Sequence, residues 1–164
     1  MQSDEKSVGA STAQSLRGVA LAIIKDLCTK KVVGYAFSNR IDTALTLAAL
    51  RMAVKRERPA PGLMFHSDRG VQYAAAAYRE ELEKLGFVQS MSRKGEPHDN
   101  AVAENFFSCL KCELVYLTSY ATRRQAQNSI FRYIEGALIP DLIDKKEYDK
   151  IERKRRVRNE RTKT

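Results

Sequence analysis

No apolar run in the chain reaches the ~18 residues needed to cross a membrane, which excludes a helical membrane span. The N-terminus, MQSDEKSVGASTAQ, has no apolar h-region of the kind a secretory signal carries, so a cytoplasmic protein is expected. Cysteine is scarce and odd in number, with Cys28, Cys109 and Cys112 only. Without a secretion signal, that count argues for reduced thiols over a disulfide framework. Cys109-x-x-Cys112 has no second pair to complete a zinc site, and His66 and His98 are the only histidines. Two thiols buried on a helix are expected there in preference to a metal. There are no internal repeats.

What is abundant is positive charge. The 164 residues carry 29 Lys and Arg against 20 Asp and Glu, a net +9. Such a balance points to nucleic acid, but its location matters. Residues 145–164 hold ten Lys/Arg and four Asp/Glu, a net +6, which leaves +3 for residues 1–144. A nucleic-acid function for the remainder has to be argued from motifs. The length suits one domain with a core, and the 43% hydrophobic content is ordinary for a globular chain.

Along the chain, residues 1–17 are polar and small without a period, and read as a loop or disordered arm. Val19 to Ile24 is a continuous apolar run, consistent with a strand buried on both faces. Asp26 begins a polar turn, and Lys31–Phe37 makes a second, antiparallel strand. Asp42 or Thr43 caps a helix that stops near Arg58, because Pro59 disfavours α geometry in the residue before it. Leu63–Phe65 is a short buried strand ending at His66. A helix over about 74–85 follows, closed by Gly86, then a strand over Phe87–Met91. Ser92–His98 is a polar loop. Asp99 or Asn100 caps a helix running to about Val115, and a last helix covers Thr122–Gly136. This order suits a mixed α/β sheet covered on both faces.

Two carboxylates stand out. Asp68 follows the short strand and precedes Arg69-Gly70, and strand C-terminal ends are where open α/β sheets place their sites. Glu104 follows it with 35 residues between them, in the first turn of the third helix. Two such carboxylates suit divalent ions, whose hard-oxygen chemistry in pairs serves in-line displacement at phosphorus. The bland alternatives are a turn aspartate and a helix-dipole glutamate. On the expected helix, Val102, Phe106 and Cys109/Leu110 mark a buried side, and Glu104, Ser108 and Lys111 the opposite one. Arg69, Arg93, Lys94, Asn100, Asn105 and Lys111 are candidates for DNA contacts. His66 packs at the strand end, in reach of orienting Asp68.

The run HSDRGVQYAAAAYREELEKLGFVQSMSRKGEPHDNAVAENFFSCLKCELVY resembles the catalytic core of IS3-type insertion-sequence transposases, members of the DDE transposase and retroviral integrase group. The resemblance extends from about Val19 to Gly136. It implies an RNase H-like fold, metal-dependent DNA cleavage and strand transfer with Mg²⁺ or Mn²⁺, and three carboxylates. Asp68 and Glu104 correspond to two of the three. It implies insertion-sequence ends and target DNA as partners, assembly as a homo-oligomer, and a place on the cytoplasmic nucleoid. In the family the first catalytic Asp sits on a strand before Val19–Ile24. That register falls at Val8, where KSVGASTAQ has no acid, so the first strand is expected to be degenerate and metal binding weakened. After Gly136 the chain departs from the family pattern again. The expected organisation is a degenerate arm over 1–17, a catalytic core over 18–136 and a divergent basic tail over 137–164, as in a truncated or frame-disrupted transposase. The competing reading is a non-catalytic DNA-binding or dimerising remnant. A nuclease of RNase H type shares the fold and metals but not the HSDRG and DNAVAE motifs.

Overall fold

The computed structural model describes residues 8–67, 70–91, 101–136 and Arg153. The apolar run from Val19 does form a strand buried on both faces, β2 (Val19–Asp26). It pairs antiparallel with β3 (Val32–Ser38). Between them Asp26 closes the turn, its Oδ1 accepting the backbone N–H groups of Cys28 at 2.8 Å and Thr29 at 3.3 Å.

Residues 8–16 correct the expectation for the N-terminal arm, because they form β1 (Val8–Leu16). β1 runs antiparallel to β2 across a two-residue turn, Leu16 opposite Val19. Arg17 (φ 51°) and Gly18 (φ 77°) both take the left-handed conformation that twist-matched two-residue hairpins require. β1 is also the central strand. The sheet order is β3-β2-β1-β4-β5, with β4 (Met64–Ser67) and β5 (Val88–Met91) added in parallel. Small residues fill it: Ala10 and Ser11 are fully buried and Thr12 nearly so. A central strand is covered by both neighbours and both faces, so position outweighs the weak intrinsic strand preference of Ala, Ser and Gly.

Helix α1 (Thr43–Glu57) packs on β3 and β2, and ends with Arg58 in the left-handed region just before Pro59. Asp42 caps its start: Oδ1 accepts the Leu45 N–H at 2.9 Å, and Arg40 Nε donates to Oδ2 at 3.0 Å. The Leu45 bond first, then Arg40, lowers the Asp42 carboxyl below its ordinary value. A carboxylate lowered in the folded state stabilises above its unfolded value, and that contribution is lost as pH falls through the folded one. Asp42→Asn keeps a capping acceptor but removes the titration. The acid-side fall of stability below about pH 4 is therefore expected to become shallower, as read by urea unfolding across that range. An unchanged slope would count against the cap as its source.

The helix expected over 74–85 is two helices, α2 (Val71–Ala74) and α3 (Ala76–Lys84), broken where Ala75 turns extended (ψ 141°). Closure of α3 is as expected. Gly86 (φ 71°) donates its N–H to Glu83 at 3.0 Å, and Phe87 donates to Leu82 at 2.9 Å, which satisfies the last carbonyls. The core on this side joins Ala20, Ala22 and Ile24 to Leu45, Ala49, Leu50, Phe65, Tyr73, Tyr78 and Leu82.

Two compact units are distinguished, Met1–Phe107 and Ser108–Thr164, with α4 (Ala101–Glu113) spanning the division. In the second unit a 3-10 turn (Val115–Leu117) leads to α5 (Arg123–Gly136). Thr122 Oγ1 caps α5 by accepting the Gln125 N–H at 3.2 Å. Tyr120 Oη donates to Ser129 Oγ at 3.0 Å, and Tyr133 Oη donates to Glu113 Oε2 at 2.6 Å. Among the described residues, no helix is long and apolar enough to cross a membrane.

Candidate functional site

β4 is only four residues long, but it is paired on both sides and fixed by Phe65, which is 2% exposed. Its C-terminal end delivers the chain to Asp68. The β1–β4 register pairs Val8 with Met64, Gly9 with Phe65, Ala10 with His66 and Ser11 with Ser67. This pairing places Val8, the position expected for the register of the first carboxylate, opposite Met64. Val8 stands beside the start of β4, three pairs and about 10 Å along the strand from its end. Ser11 is the β1 residue level with the end of β4.

Glu104 is exposed in the first turn of α4, and Asn105 beside it is exposed as well. Phe107, Cys109 and Leu110 are buried and Phe106 is half-buried, so the buried stripe is centred one residue later than the expected Phe106. Ser108 is exposed and Lys111 half-buried, which keeps the Glu104–Ser108–Lys111 stripe on the more open side of the helix. All three cysteines are free thiols; of the pair expected to be buried, only Cys109 is, and Cys112 is exposed. Asp68, Arg69, Arg93, Lys94 and Asn100 lie outside the described residues, as does the expected approach of Asp68 to Glu104. His66 is half-buried with Nδ1 buried and without a hydrogen-bond partner among the described residues.

Sequence reasoning missed Lys25. It is 8% exposed on β2, and its Nζ lies 5.5 Å from the centre of the Phe106 ring. Paired residues in a sheet share a face, so Lys25, Ala10 and His66 form one row across β2, β1 and β4. The available signal was a lysine closing an apolar run. A buried ammonium stacked on an aromatic ring is a stable arrangement.

Among the described residues no group of three or more His, Cys, Asp and Glu is placed to hold a metal. β1, VGASTAQSL, has no carboxylate at any position, and Lys25 stands in the row beside Ala10.

The comparisons agree with this architecture. The integrase core domain model matches residues 2–97. The transposase for insertion sequence element IS904 of Lactococcus lactis subsp. lactis (strain IL1403) is 41% identical over 115 residues, 70% of this chain and 46% of that protein. The IS600 uncharacterized 31 kDa protein of Shigella sonnei is 45% identical over the same share of this chain and 42% of its own. Transposase InsF for IS3A of Escherichia coli (strain K12) is 36% identical, with 40% of its length covered. The chain thus spans less than half the length of these relatives. Among solved structures, the HTLV-2 integrase catalytic core domain in complex with magnesium aligns at TM-score 0.61 with 12% identity, covering 80% of this chain and 84% of that one. The BIV integrase catalytic core aligns at 0.56 with 14% identity, covering 66% and 69%. Identities that low speak to the fold alone, and the fold is RNase H-like. With a five-stranded mixed sheet and a family match over more than half its length, the chain belongs to the integrase core domain family, and the relatives it is similar to include IS3-type transposases.

Proposed function

We propose that this chain binds DNA as an IS3-type transposase core whose cleavage and strand-transfer chemistry is impaired. The observation that carries the reading is the central strand. β1 is in place and paired on both sides, yet it offers no carboxylate to the site end of the sheet. In-line displacement at phosphorus with paired ions needs both ions held. Asp68 and Glu104 are the residues proposed to bind Mg²⁺ or Mn²⁺, weakly. Arg69, Arg93, Lys94, Asn100, Asn105 and Lys111 are proposed to contact DNA, mostly at phosphates, which position without specifying sequence. Insertion-sequence ends and target DNA are the proposed partners, the cytoplasmic nucleoid the proposed location, and a homo-oligomer the proposed assembly.

The test is a cleavage and joining assay on insertion-sequence end DNA with Mg²⁺ or Mn²⁺. The unmodified chain is expected to give no metal-dependent product, and Val8→Asp is expected not to restore any, because Val8 pairs at the wrong end of β4. Turnover by the unmodified chain that Glu104→Gln abolishes would show a third ligand and overturn the reading. The alternative, a binding or dimerising remnant with no metal role, is favoured by the concentration of charge at residues 145–164. It predicts that Asp68→Asn leaves Mn²⁺ binding unchanged.

A further inference from the structure

On the α1 face of the sheet, at the end where β1 begins and β2 finishes, lies a cavity of about 280 Å³. That is near the lower end of the range for small-molecule sites, ~300–1,000 Å³. Its floor is apolar and buried, made by Ile24, Leu50, Ala53, Phe65 and Phe87. Gly9 keeps the space open. It pairs with Asp26 on one side and Phe65 on the other, and a Cβ there would fall 3.2 Å from the Phe65 ring. Paired residues share a face of a sheet, and so do residues two apart on a strand. Ile24, Asp26, Gly9 and Phe65 therefore lie together, on the face opposite to the Lys25–Ala10–His66 row.

The rim is acidic, in a chain whose net charge is +9. Among the described residues, the charged ones that line the cavity are two carboxylates, Asp26 and Glu57, with no lysine or arginine. Asp26 is half-buried and held by its turn, where Oδ1 accepts the Cys28 and Thr29 N–H groups. Glu57 is exposed at the last position of α1, where the carbonyl end of the helix adds partial negative charge. Lys55, Arg56 and Arg58 are close to Glu57 in sequence but do not line the cavity, and Arg56 lies over the Tyr35 ring, 5.6 Å from its centre.

We propose that this cavity binds a small organic cation, with an apolar aromatic body on the floor and one ammonium or amidinium group at the Asp26–Glu57 rim. The body supplies most of the affinity by leaving water. The carboxylates set orientation and sign: a charge pair at an open rim adds little affinity, but an anion there meets two like charges.

The experiment is an amide NMR shift titration of the full chain with three aromatic probes of similar shape. Naphthylmethylamine, naphthylmethanol and naphthoic acid are cationic, neutral and anionic at neutral pH. The amine is expected to give saturable shifts at Gly9, Ile24, Phe65 and Phe87, with a Kd on the order of 1 mM or tighter. It should bind roughly three- to fivefold more tightly than the alcohol, and the acid more weakly than either. Added salt should weaken the amine and spare the alcohol. Glu57→Gln, at an exposed residue, should cost the amine about two- to fivefold and the alcohol nothing. Asp26→Asn, which keeps an acceptor for the turn, should do the same. Val54→Phe puts a ring into the cavity wall and should abolish binding of amine and alcohol alike, with urea unfolding showing that the variant folds. Should it not fold, the two carboxylate variants still decide. Equal binding of the three probes, no saturable shift at these residues, an unaltered amine affinity in both carboxylate variants, or full binding by a folded Val54→Phe chain would each overturn the proposal.

Discussion

Deleting residues 145–164 is expected to weaken duplex DNA binding at ~0.1 M salt by roughly two to three orders of magnitude, and to flatten its salt dependence. The deleted segment carries ten Lys/Arg and four Asp/Glu, six of the nine net charges of the chain. Each phosphate neutralised by a cation releases condensed counterions, and the logarithmic salt slope is about −0.9 per phosphate for duplex DNA. Six net charges would then supply a slope of about −5 that truncation removes. The loss in affinity is smaller than that slope alone would give, because not every cation has to sit at a phosphate. The remaining affinity should vary little with sequence, since phosphate contacts carry no base information. Fluorescence anisotropy of a labelled duplex over a salt series measures both quantities. If the truncated chain binds as tightly at the same salt, the surface around Asp68 and α4 carries the affinity, and the tail does not.

How the sequence maps onto the fold depends on how each element is stabilised. β2 was legible because six consecutive apolar residues can only be buried on both faces. α1 was legible from Asp42 and Pro59, which fix its ends by local chemistry. Gly86 announced the end of α3 in the same way. β1 was illegible because its information is not local. Its residues are small and mildly polar, and they become a strand through β2 and β4 on either side and through Ser11 meeting Tyr73 across 62 residues. The turn that would have betrayed it, Arg17-Gly18, is a weaker hairpin signal than Asn-Gly. The break between α2 and α3 was hidden by Ala74–Ala77, four alanines that suit a continuous helix equally well. For the site, the HSDRG motif and the spacing to Glu104 singled out the two candidate carboxylates, but the strand register had to come from the sheet. Counting along a family pattern put the first carboxylate's register at Val8; pairing places Val8 beside Met64 and Ser11 beside Ser67. Lys25 was missed for a related reason, since only the sheet shows which row it joins.

Gly34→Ala should be among the most damaging single-methyl changes in the chain, costing about 3 kcal/mol. Gly34 lies on β3 opposite Ile24, under the middle of α1. A Cβ built there would fall 2.4 Å from the Ala49 carbonyl oxygen, 2.7 Å from Ala53 Cβ and 2.8 Å from the Ala53 nitrogen. Two of those three atoms are helix backbone, which cannot rotate away as a flexible side chain would. The helix or the strand must move, and α1 is the element that covers Ala20, Ala22 and Ile24. That movement would also lengthen the contact in which Tyr35 donates its N–H to Met52 Sδ at 3.3 Å. A domain of this size is stable by about 5–15 kcal/mol, so the change removes a large fraction of the total. Gly9 supplies the internal comparison. A Cβ there meets the Phe65 ring edge at 3.2 Å, a side chain that can give by a few tenths of an ångström. Alanine also restricts the unfolded chain, which offsets the crowding, so Gly9→Ala is expected to lie within about 1 kcal/mol of the parent. Urea unfolding of both variants decides the matter. A Gly34→Ala chain as stable as Gly9→Ala would mean that α1 floats on β3 at greater distance than the packing of Ala49 and Ala53 implies.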